Sequence, residues 1–225
     1  MTINPTFTAD AASDGAYTDA RRSPAPSRWE PLSGVAFAVL FVVGVVASNA
    51  PADSAPDRVW LRDYSGTRND VGHLATAYCL VLAGLSLVAF LVQLWTRVRD
   101  ARQQPTSVVP VVAAGMAGAL MAVGGVLMGV VSISALRGYP ELIRLGNDGG
   151  FAMVSVGGML AAALSVACLS FMGRRSGVLG PVLGWSGSVV SVLLLAAIVF
   201  VPIALLLVWV VAVSVTLVRR APGRV

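Results

Sequence analysis

From Ser176 to Val218 the chain runs 43 residues without one charged side chain. Roughly 20 apolar residues span a bilayer's hydrocarbon core as a helix, so this stretch commits the polypeptide to lipid. Three further long uncharged runs precede it, and a shorter one opens the series. Hydrophobic residues make up 56% of the 225 and charged residues 12%, against roughly 25% charged in an ordinary soluble domain. A soluble core cannot absorb that much apolar surface. The expected fold class is therefore all-α, a polytopic transmembrane helical bundle, with no room for a second, soluble domain.

Six spans are expected, at about 31–49, 71–95, 108–134, 151–172, 179–199 and 202–218. The first stops where Asn49, Pro51 and Asp53 end both helix and hydrophobicity. The final uncharged run is too long for one crossing, since as a single helix it would extend roughly 65 Å across a core of about 30 Å. It must turn back once, and Pro202 marks the turn, because proline lacks the amide hydrogen and disfavours helix at the preceding residue. Residues 1–30, rich in Ala, Ser, Asp, Thr, Pro and Arg, lack the apolar region of a secretory signal and are expected to form a disordered tail.

All sixteen basic residues are arginine, and they set the orientation. With the N-terminus inside, eleven arginines fall on inside segments (Arg21, Arg22, Arg28, Arg97, Arg99, Arg102, Arg174, Arg175, Arg219, Arg220, Arg224) and five on outside loops (Arg58, Arg62, Arg68, Arg137, Arg144). The positive-inside bias favours both termini in the cytoplasm, which requires an even number of spans. Trp29, Trp95 and Trp185 lie near the same boundary, where an amphipathic ring is at ease. Trp209 falls near mid-span. The basic balance, a net charge of +5, does not point to nucleic acid, since no basic stripe with interleaved aromatics exists.

Helices in lipid associate through small residues that let backbones approach. The third span presents Ala114, Gly118, Ala122, Gly125, Gly129 and Ser132 on one face; the fourth offers Gly157, Ala161 and Ser165; the fifth offers Gly180, Gly184, Ser188 and Ser191. Such rows serve either a homodimer face or packing within one bundle, and the second is expected here.

No Asp, Glu, Lys, Arg or His falls at mid-span, although a proton-coupled carrier, a voltage sensor or a carboxylate-based intramembrane enzyme would keep at least one. Thr76 and Gln93 are polar enough to bond across helices, but Thr76 can also bond its own backbone. His73, the single histidine, stands at the outer mouth of the second span beside Asp70, with Tyr78 slightly deeper. Asp70 and His73 are three apart and can share a helix face, either for pH sensing and acid/base work or simply as polar residues at a helix start. A lone histidine offers neither a metal site nor a triad, and Cys79 and Cys168 lie inside apolar runs as small buried side chains. No cofactor is expected.

The first outer loop, 50–70, interleaves Asp53, Asp57, Asp63 and Asp70 with Arg58, Arg62 and Arg68, and adds Trp60, Leu61 and Tyr64. It is expected to form a short interfacial helix that caps the bundle, folded onto the second outer loop. The candidate interaction or ligand residues are therefore Trp60, Tyr64, Asp70, His73 and Tyr78. Asn147, Asp148, Gly149 and Gly150 are expected to form the turn that opens the fourth span.

The stretch RRSGVLGPVLGWSGSVVSVLLL, followed by FVPIALLLVWVVAVSVTLVRR, resembles the C-terminal third of a broad group of uncharacterised actinobacterial multi-pass membrane proteins. LSGVAFAVLFVVGVV followed by an acidic, Tyr-containing loop is similar to their beginning. The likeness covers about half the chain and rests on Leu183, Gly184, Trp185, Gly187, Pro202 and Trp209. It implies six spans and a bacterial plasma membrane, and brings no assigned activity or catalytic residue. The functional expectation is a non-catalytic accessory or interaction protein whose partners are membrane lipids and another membrane protein or a second copy. A carrier or sensor of an apolar, lipid-like molecule is the alternative, and an enzyme using His73 with Asp70 a third.

Overall fold

A computed structural model describes residues 32–48, 51, 54–64, 67–102, 106–133, 139–196 and 200–219. The expected tail, Trp29 and residues 197–199 lie outside this range, as do the side chains of Asp70 and Ser132. The described chain is helical: α1 (Leu32–Ala47), α2 (Asp57–Asp63), α3 (Thr67–Arg102), α4 (Val109–Ile133), α5 (Pro140–Ala152), α6 (Met159–Arg175), α7 (Pro181–Leu193) and α8 (Phe200–Arg219). A π-helical turn, Met153–Gly158, joins α5 to α6 without a break, and a 3-10 turn, Leu194–Ala196, extends α7. Four segments are long and apolar enough to cross a membrane: Val71–Arg102, Val109–Val131, Pro140–Arg175 and Val201–Arg219. α1 and α7 are apolar but shorter, at 16 and 13 residues.

Proline sets several of the starts. Pro140 and Pro181 occupy the first turns of α5 and α7, and Pro110 and Pro202 those of α4 and α8. An amide hydrogen has no intrahelical partner there and is not missed. Pro202 thus lies in the first turn of α8, where the sixth span was expected to begin, and is buried. Just past the end of α6 stands Gly177, whose φ of 75° is a left-handed conformation that side chains with a Cβ adopt at a cost.

Consecutive rods pack antiparallel, and α8 returns against α1 to close the ring. The seams match the rows of small residues. A Cβ placed on Gly84 of α3 would stand 2.8 Å from the carbonyl oxygen of Gly118 on α4, so the two backbones touch at that crossing. Gly125 and Gly129 face Ala77 and Leu80 of α3, Gly157 faces Leu120, and Gly184 faces Arg174 and Ser170. Gly180 caps the start of α7. These faces are spent within one bundle. Gly124 and Gly150 make a second backbone contact, a Cβ on either falling 2.5–2.6 Å from the other's carbonyl oxygen. This contact explains why Asn147–Gly150 lie within helix α5 and not in a turn: a continuous rod lets Gly150 meet α4, and Asn147 is buried there.

Between the seams the interior is apolar, with Phe37, Leu87, Phe90, Leu94, Met121, Met159, Leu169 and Leu206 almost wholly buried. Several of its polar groups are bonded across helices. Ser33 donates to Gln93 Oε1 at 3.3 Å, Ser165 donates to the carbonyl of Pro110 at 2.8 Å, and Trp209 Nε1 donates to the carbonyl of Leu183 at 3.0 Å. Trp209 is therefore a core residue; its ring meets Phe90 edge-on at 6.5 Å.

Candidate functional site: a braced cap and the crevice below it

At seven residues α2 is too short to hold itself in water. Trp60 and Tyr64, four apart, fall on one face and are almost fully buried, at 0% and 1% exposure. Their rings stack at 6.0 Å, and Tyr64 stacks in turn on the imidazole of His73 at 4.1 Å and 12°. The column Trp60–Tyr64–His73 thereby ties α2 to the first turns of α3. Val131 of α4 and Ile143 of α5 complete its apolar surroundings.

Polar contacts brace the same column. His73 Nε2 lies 3.3 Å from Asp63 Oδ2. The Tyr64 hydroxyl donates to Asn147 Oδ1 at 3.4 Å, and Asn147 Nδ2 donates to Asp148 at 3.2 Å. Arg144 of α5 donates to the carbonyl of Ala55 at 2.7 Å, pairs with Asp57 at 2.8 Å, and holds its guanidinium 5.6 Å from the centre of the Trp60 ring. Burial pushes the Tyr64 phenol well above its ordinary value, and the charges of Asp63 and Asp148 push it further. It stays a neutral donor at any physiological pH.

The structure thus brings together three of the five residues singled out from the sequence, Trp60, Tyr64 and His73. Tyr78 stands apart, 64% exposed on the flank of α3. Asp70 belongs to the first turn of α3, and its side chain lies outside the described ones. Among the described side chains, the carboxylate at the histidine is Asp63, supplied by α2 ten positions earlier. A pairing across a loop has no helical spacing to betray it. Arg144 and Asn147, which lock α5 to α2, were equally illegible as partners, although the i, i+4 spacing of Trp60 and Tyr64 announced a buried face. Chemically, His73 beside a carboxylate could move a proton, but at 6% exposure it is walled in by Tyr64. Among the described residues no group of three or more His, Cys, Asp and Glu could hold a metal ion.

Below the cap a crevice of about 80 Å³ opens where α1, α3, α4, α8 and the π-helical turn converge. Its walls are apolar, chiefly Phe41, Leu80, Met128, Val154 and Ile203, and three hydroxyls line it, those of Ser48, Thr76 and Ser155. Ser48 donates to the carbonyl of Val45 at 2.8 Å and Ser155 to that of Phe151 at 2.6 Å. Thr76 does not bond its own backbone. Its Oγ1 is buried without a hydrogen-bond partner, and the residue is 1% exposed. No protein-family model matches this chain, and neither does any curated protein or solved structure.

Proposed function

We propose that this is a six-span protein of a bacterial plasma membrane, with both termini cytoplasmic, that works without catalysis as an accessory protein engaging a second membrane protein through its cap. Two features support the topology. The ends of α3, α6 and α8 meet at one end of the bundle and carry Arg97, Arg99, Arg102, Arg174, Arg175 and Arg219, against Arg58, Arg62, Arg68 and Arg144 at the cap end. Trp95 and Trp185 mark the arginine-rich end, with Arg99 and Arg174 lying over their rings at 4.9 and 4.4 Å. α1 and α7 are short, but each packs between crossing neighbours, and a modest mismatch is met by local thinning of the bilayer.

The observation that carries the functional reading is the contrast between the two sides of the cap. Its inner side is spent on the Trp60–Tyr64–His73 column, which ties α2 to α3, and on the contacts of Tyr64 with Asn147 and of the column with Ile143 of α5. Around it Tyr139, Leu142 and Leu145 are 60%, 42% and 69% exposed. Leu142 and Leu145 belong to a continuous rod of 36 residues, which Tyr139 immediately precedes, about 54 Å long, of which a core of about 30 Å covers little more than half. The start of α5 therefore stands beyond the hydrocarbon, where apolar side chains left in water favour a partner.

The test is co-purification from native membranes in mild detergent, comparing the wild-type chain with a Leu142→Asp/Leu145→Asp variant. A companion protein retained by the first and lost by the second is expected. Recovery of both as the same lone species, or a terminus labelled from the cell exterior, would overturn the proposal.

A further inference from the structure

The crevice below the cap has the character of a binding site, and its chemistry specifies the ligand. Among the described residues four buried hydroxyls lack a hydrogen-bond partner, those of Thr76, Thr106, Ser170 and Ser214, and Thr106, in the segment before α4, is not part of the crevice lining. Two of them have no room for one. Ser170 Oγ lies against Gly187, and Ser214 Oγ against Gly34, each so close that a Cβ on the facing glycine would collide with it. Thr76 differs, because the residue belongs to the lining of the crevice. It also forgoes the carbonyl four residues back, which Ser155, Ser188 and Thr216 each take within their own helices. A hydroxyl that neither bonds its own helix nor meets a neighbouring one is left with its proton available to a guest.

The walls narrow the class of guest. Ser48 and Ser155 have spent their protons on backbone carbonyls, so Thr76 is the one hydroxyl of the three with a proton to give. The rest of the lining is hydrocarbon, together with the thioether of Met128. A charged ligand would lose its hydration with nothing to replace it. The π-helical turn supplies Val154 and Ser155 to one wall, and such turns, which insert a residue into a helix, recur at functional sites. The volume of about 80 Å³ is roughly half that of an apolar cavity that admits benzene, so only a few heavy atoms enter and the remainder of the ligand extends through the open side.

We infer that the crevice binds an uncharged, lipid-like molecule with a single acceptor oxygen of the carbonyl class, which receives the Thr76 hydroxyl proton while its hydrocarbon packs against Phe41, Leu80, Val154 and Ile203. This site is independent of the cap's engagement with a partner, and neither proposal requires the other.

The experiment uses the full chain in nanodiscs and three radiolabelled probes of equal chain length: dodecan-2-one, dodecane and dodecanoate. Retention is measured over that of empty nanodiscs. The ketone is expected to bind best, and dodecanoate not above background. Thr76→Val, which keeps the shape and removes the hydroxyl, weakens the ketone by about three- to tenfold, the share of one hydrogen bond, and leaves dodecane unchanged. Ser155→Leu fills the crevice and abolishes both. Equal retention of ketone and alkane by the wild type, an unaltered ketone in Thr76→Val, or no retention above empty nanodiscs would each overturn the inference. Should Ser155→Leu fail to fold, the isosteric Thr76→Val decides alone.

Discussion

The cap and the body of the bundle are held by opposite means. In the body, rods approach until backbone meets backbone, Gly84 on Gly118 and Gly124 on Gly150, and cohesion comes from many weak contacts that only small residues permit. In the cap, a few directional contacts act on large side chains: the Trp60–Tyr64–His73 stack, the Asp63–His73 pair and the Arg144 clamp on Ala55 and Asp57. The difference follows from solvent. Burial of apolar surface does not drive association in lipid, so shape must, whereas a segment at the water boundary gains from hiding aromatic rings.

Trp60→Ala breaks the comparison most severely if the two regions are coupled. Removing a fully buried indole costs about 3–5 kcal/mol, and this loss should appear as local opening of α2, read by hydrogen exchange at residues 57–64, with little change in the melting of the bundle. An equal fall in both would show that cap and body form one cooperative unit. Gly84→Val strikes the body instead. Its branched side chain meets the Gly118 carbonyl, and overpacking of this kind costs about 1–3 kcal/mol, seen as a lower denaturation midpoint in detergent with the Tyr64 environment intact.

The smallest effect sharpens the picture of the cap. Tyr64→Phe removes a hydrogen bond 3.4 Å long, worth no more than about 1 kcal/mol. Its consequence shows in the pH dependence. The folded phenol holds its proton above the ordinary value of 10.0, while the unfolded one releases it there. The cap's stability is therefore intact below that pH and falls as pH rises above it, because the native state then binds more protons than the unfolded state. Tyr64→Phe should flatten this alkaline loss. Absorbance near 295 nm should lose a late tyrosinate component; an unchanged titration would place Tyr64 in water.

Much of the helical architecture was legible because uncharged runs of bilayer length admit few other structures. The glycine rows of span three also faced a neighbour, and Gly118, Gly125 and Gly129 do meet α3. Other features were not legible. Gly84 and Gly150 belong to no conspicuous row, and their importance arises from the glycine on the facing helix. Asn147–Gly150 carry the composition of a turn, yet stay helical because Asn147 bonds Tyr64 and Gly150 touches Gly124. Local propensity yields there to contacts made far along the chain.

Hydropathy by itself was enough to indicate apolar helices, four of them long enough to cross a membrane, since the cost of bare backbone polar groups in hydrocarbon acts on every segment separately. Which carboxylate reaches His73, which glycines touch and which threonine is left with an unused hydroxyl are relations between segments. They took definite form only when the rods packed, because a contact between residues distant in sequence leaves no periodic trace in either one.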